Sequence, residues 1–156
     1  MYLAMKTLHV LAVVLFLGNI ITGLFWKAHG DRTSDPRIIR HTLEGIIRSD
    51  RLFTVPGVVL IIGFGVAAAI MGRLPILSTG WIWQSIALFA ISGLAFVLQV
   101  APLQRRLQAL ASVGADGGPW DQTEYGRLSR RWEFWGAVAI LAPVAALILM
   151  VYKPGS

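Results

Sequence analysis

An all-α fold, a four-helix transmembrane bundle with a cytoplasmic interfacial helix, follows from three features of this 156-residue chain. Hydrophobic residues make up 56% of it and charged residues only 14%, giving a mean hydropathy of +0.66 that an ordinary soluble domain does not reach. Four apolar runs, 3–26, 53–72, 79–101 and 132–152, are each long enough to cross a hydrocarbon core of about 30 Å as a helix rising about 1.5 Å per residue. The apolar residues run continuously instead of alternating, which selects helices over barrel strands, since every backbone group in lipid must be paired. With so few polar residues outside these runs, a single integral membrane domain over 1–156 is expected.

The first run is expected to be retained as a span. It is longer than a signal-peptide core, lacks a basic leader and has no small-residue cleavage site before Trp26-Lys27. Between the first two runs, Ile38, Ile39, Leu43, Ile46 and Ile47 recur at helical spacing, with Arg37, Arg40, His41, Glu44 and Arg48 on the other side. This is the interfacial helix, started by Asp35-Pro36 and braced by the i,i+4 series Arg40, Glu44, Arg48. In the second run, Gly57, Gly65 and Ala69 permit close helix approach, and Ala137 and Ala145 do so in the fourth. The turn from Arg73 to Ser78 is too short for a site of its own.

The third run continues as a helical pattern from Pro102 to Val113, up to the breaker 114–119. Asp121 followed by Glu124 has the form of a helix start, so the last helix should begin about ten residues before its apolar run. Inside it, Pro143 removes a backbone donor and frees the Ala139 carbonyl, which predicts a kink. Glu133 is placed to pair with Arg130 at the boundary.

The formal net charge is +6, and eleven of the fourteen Lys and Arg residues fall in the stretches 27–52 and 102–131. The positive-inside rule therefore predicts both long connections in the cytoplasm and both termini outside, in a bacterial inner membrane. Trp26, Trp132 and Trp135 would form the inner aromatic belt and Trp81 and Trp83 the outer one. The charge reads as topology, so the expected surroundings are lipid bilayer and no nucleic acid.

Zero cysteines exclude disulfides, iron–sulfur clusters and thiolate catalysis. A pump or proton-driven transporter is disfavoured, because no acid occurs within the middle of a run. No catalytic set is legible, and candidate chemistry centres on His9, the single histidine inside a run. An imidazole there faces the bundle or a ligand, and can bind haem iron or copper through one nitrogen while the other donates to an acceptor. Gln84, at similar depth in the third run, is the candidate acceptor. Met5, one turn before His9, adds a sulfur that suits copper(I). Asn19 and Gln99 are amides suited to joining helices. His29 and His41 read as solvated, with a second reading in which, beside Arg32, Arg37 and Arg40, they approach a bound anionic group such as a propionate.

Lys6-Thr7-Leu8-His9-Val10, Leu17-Gly18-Asn19-Ile20, Trp26-Lys27, 52–57, 101–105 and 150–154 together resemble a bacterial family of short predicted integral membrane proteins of unknown function. More remotely, Leu8-His9-Val10 is similar to the start of the copper-resistance D proteins and of the oxygen-independent J-type protoporphyrinogen oxidases, which carry a histidine in the first helix. The resemblance implies haem b bound through His9, with His29 a looser match, and copper as the alternative cofactor. The third-helix lysine of the oxidases is absent here, with Gln84 nearest its place. One span histidine supplies one imidazole per chain, so two-histidine ligation would call on a homodimer, His29 or His41. A membrane redox partner is the other expected associate, and a non-catalytic assembly module is the alternative role.

Overall fold

The computed structural model describes residues 1–76 and 78–155; Leu77, within the turn 73–78, and Ser156 lie outside the described residues. Among the described residues the fold is all-helical, with four helices long and apolar enough to cross a membrane. Helix α1 (Tyr2–Asp31) is unbroken. Helices α2 (Pro36–Ser49) and α3 (Val55–Met71) form one rod through a π-helical turn, Asp50–Thr54. Helices α4 (Gly80–Ala95) and α5 (Ala101–Ala115) are joined likewise through Phe96–Val100, and α6 (Gln122–Tyr152) closes the bundle. Both π turns stand just before a proline, Pro56 or Pro102. Proline cannot donate to the α-ladder, and a turn of wider hydrogen bonding accommodates the interruption without breaking the rod.

The bundle has a terminal end, holding both chain termini, and a connection end, holding α2, α5 and the start of α6. At the terminal end α1 packs on α3 and α4 on α6. Gly57 and Gly65 let α3 approach α1 closely: a Cβ on Gly57 would stand 3.4 Å from the Cβ of Phe16. In α6 the buried small residues are Gly136, Ala139 and Ala146. Ala137 is exposed, so the expected stripe of Ala137 and Ala145 is displaced along the helix.

The freed carbonyl at Pro143 has a partner. Ser92 Oγ donates to the Ala139 oxygen at 2.6 Å, and Ser85 Oγ reaches the Ala146 oxygen at 3.3 Å while bonding Trp81 in its own helix at 2.7 Å. Two buried serines of α4 thus lace α6 where its ladder is interrupted.

Helix α2 starts as expected, with the Asp35 side chain accepting the Arg37 N–H at 2.8 Å and Pro36 in the first turn. Its apolar face does not lie open to the membrane surface. Ile39 and Leu43 are buried in one cluster with Leu103, Leu107 and Ala111 of α5. Both helices extend beyond their apolar runs, and two amphipathic extensions side by side cover each other. Asp121 caps α6 through the Glu124 N–H at 2.9 Å, again as expected.

Two boundary assignments need correction. Trp132 is 3% and Trp81 9% exposed, so these rings are bundle core, while Trp26 and Trp83 stand outside as belt residues do. Lys27 Nζ over the Trp132 ring at 5.0 Å, and Lys153 Nζ over Trp81 at 5.6 Å, draw those rings inward. Glu133 accepts from Ser129 Oγ at 3.1 Å in place of pairing with Arg130.

Candidate functional site

His9 sits on α1 against α3. Its Nδ1 is 2.9 Å from the Ile61 carbonyl oxygen. A carbonyl only accepts, so Nδ1 carries a proton, and in the neutral imidazole the lone pair is then on Nε2. The ring lies against Gly65, where an added Cβ would be 3.0 Å from Cε1 and from Nδ1 but 3.9 Å from Nε2. Glycine at 65 is therefore what lets the imidazole lie down on α3. Nε2 makes no hydrogen bond among the described residues, and the side chain is half-buried. This is the donor state of an imidazole ligand: one nitrogen fixed by a backbone carbonyl, the other available.

The remaining sequence candidates do not gather round it. Gln84 is exposed and Ile61 takes the acceptor role expected of it; the register of α4 turns Ser85 inward instead. Met5 lies one turn from His9 on the same face and is half-buried. His29 lies twenty residues along the same unbroken helix, about 30 Å away, so it does not share an iron with His9. Its ring is exposed and stacks on Phe25 with centroids 6.3 Å apart. His41 is exposed on α2, where Arg40 pairs with Asp116 at 3.0 Å. Among the described residues, no three His, Cys, Asp or Glu side chains form a metal-binding group.

Asn19 serves a different cluster, built on Asp50 of the stretch 27–52. Asp50, 8% exposed, opens the first π turn. Its Oδ1 accepts from Thr54 Oγ1 at 2.9 Å and from Asn19 Nδ2 at 3.3 Å, and its Oδ2 accepts from Gln104 Nε2 at 3.0 Å. Asn19 Nδ2 also donates to Thr54 Oγ1 at 2.9 Å. Three elements are thereby tied to one carboxylate, beside a cavity of about 20 Å³ that Asp50, Gln104 and Trp132 help to line.

A second unforeseen cluster holds Lys27, 1% exposed. Its Nζ pairs with Asp31 at 2.5 Å and donates to Ser129 Oγ at 2.6 Å, under the faces of Trp132 and Tyr125. Asp31 also accepts from Tyr125 Oη at 2.6 Å and from Ser129 Oγ at 3.0 Å. A signal existed in the sequence: Lys27 and Asp31 are four apart at the end of an apolar helix, the spacing of an intrahelical pair. Nothing in the sequence indicated that α6 would cover them.

Residues 3–154 match a family described as a predicted integral membrane protein, DUF2269. No curated protein and no solved structure matches the chain.

Proposed function

The chain belongs to the DUF2269 family of predicted integral membrane proteins, and from that premise we propose that it binds haem b through His9 in a redox or haem-handling role. The observation that carries the reading is the His9 Nδ1 bond to the Ile61 carbonyl at 2.9 Å, which fixes the ring and leaves Nε2 as the ligating nitrogen. With His29 and His41 at the connection end, a second protein ligand to the haem iron would come from a symmetry-related His9 in a homodimer or from a membrane redox partner. In this reading that end faces the cytoplasm of a bacterial cell, which the positive-inside rule favours for the arginine-rich connections, and both termini and His9 lie toward the outside of the inner membrane.

Met5 supports copper as the other cofactor, because it adds a soft sulfur one turn from the same imidazole. An assembly role draws on the same hydrogen bond, which by itself joins α1 to α3.

The test is a reduced-minus-oxidised spectrum with metal analysis on protein purified in mild detergent from haem-sufficient cells. The haem reading expects a b-type signal at one haem per chain or per two chains, lost in His9→Ala. A colourless, metal-free native chain overturns both cofactor readings and leaves assembly. Stoichiometric copper without haem selects the Met5 and His9 set.

A further inference from the structure

The Asp50 cluster calls for a separate explanation. A carboxylate this buried is costly as a bare charge unless it is paired or fully hydrogen-bonded. The ion pairs among the described residues lie elsewhere, at Lys27–Asp31, Arg40 and Arg127–Glu124. The side chains that elements packed around Asp50 turn toward it or its cavity are neutral: Asn19 from α1, Ile46 from α2, Gln104 from α5, Val100 from the second π turn and Trp132 from α6. Lys27 Nζ stands against Trp132, 5.0 Å from the ring centroid. The adjoining Arg51 is exposed.

The cavity beside this carboxylate is about 20 Å³, enough for one water and little else. Trp132 supplies a second, independent observation. It lines the cavity, is 3% exposed, and its indole Nε1 has no acceptor among the described residues. A buried N–H without a partner beside a water-sized space is the signature of a bridging water.

We propose that Asp50 is a reversible proton-binding site, exchanging its proton through a water held in this cavity. In the step, a hydronium in the cavity gives its proton to an Asp50 oxygen; an O–H bond forms on the carboxyl, one O–H bond of the hydronium breaks, and neutral water remains. The new hydroxyl then donates to that water. The donor set selects a proton over a metal cation. Asn19 Nδ2, Thr54 Oγ1 and Gln104 Nε2 all turn hydrogens toward the carboxylate, two on Oδ1 and one on Oδ2, which leaves about one lone pair on Oδ2, enough for a proton but too few for a metal. The location adds support, since both π turns flank the cavity, Asp50 opening one and Val100 closing the other.

Infrared spectra of the full chain in lipid nanodiscs, recorded across a pH titration, test this. The native protein should show a protonated-carboxyl stretching band that fades reversibly as pH rises and is missing in Asp50→Asn. Gln104→Leu removes one donor to the charged form, so its band should persist to higher pH, by about half a unit or more. This second variant decides the matter if Asp50→Asn does not fold. Native and Asp50→Asn spectra that coincide in the carboxyl region at every pH overturn the proposal. So does a Gln104→Leu midpoint equal to the native one, or a midpoint that follows sodium concentration.

Discussion

At the terminal end, α1 and α3 meet over glycines and one imidazole–carbonyl bond, and α4 meets α6 over two serine–carbonyl bonds. At the connection end the same helices, with α2 and α5 added, close over a lysine, two aspartates, a glutamine and a tyrosine held in side-chain networks. His9, Ser85 and Ser92 of the terminal end each meet a backbone carbonyl, whereas Lys27, Asp31, Asp50, Gln104 and Tyr125 of the connection end meet other side chains. A backbone carbonyl is present whatever the sequence, so losing one such bond should cost little. A network of charged and neutral side chains fails as a unit, because removing one member strands the others.

Four substitutions order that contrast. Lys27→Met should cost the most, about 2 to 3 kcal/mol in reversible unfolding in detergent, since it leaves Asp31 and Ser129 without their cation. The partial exposure of Asp31, at 22%, keeps the loss below that of a fully buried pair. Adding Asp31→Asn should recover part of it; no recovery would mean that Lys27 acts through packing on Trp132 alone. Gly65→Val comes next, at about 2 kcal/mol, because its Cβ meets the His9 ring at 3.0 Å. An imidazole nitrogen NMR signal that still reports the Ile61 bond in that variant would refute the cradle.

Ser92→Ala should cost about 1 kcal/mol, by leaving the carbonyl opposite Pro143 unpaired. A native-like unfolding midpoint would show that α6 re-pairs that oxygen by itself. Gln84→Leu, at an exposed position, should stay within about 0.5 kcal/mol of native. A larger loss would place Gln84 in an interface between chains.

The same contrast explains what the sequence revealed. The spans and the caps at Asp35 and Asp121 depend on local pattern, and each is present in the structure, while α6 stays helical through Pro143. The imidazole of His9 was conspicuous because nothing like it occurs in any other run, though its partner was not: a backbone carbonyl leaves no mark in sequence, and Gln84 stood in for it. Asp50, Lys27 and Asp31 lie just outside the apolar runs, where charge is normally solvated. Their burial depends on α5 and α6 continuing past the membrane-length segments and packing there. The tilt of register that turns Gly136 inward and Ala137 outward is likewise set by the neighbouring helix, not by small residues as such.

The most direct measurement is a haem b titration of the purified apoprotein, followed by the Soret shift, for the native chain and for His9→Ala, His29→Ala and His41→Ala separately. The account predicts saturation at one haem per chain or per two chains for the native protein and for the His29 and His41 variants, with saturable binding abolished in His9→Ala. Equal binding by His9→Ala, or loss confined to His29→Ala or His41→Ala, would contradict it and move the cofactor to the other end of the bundle.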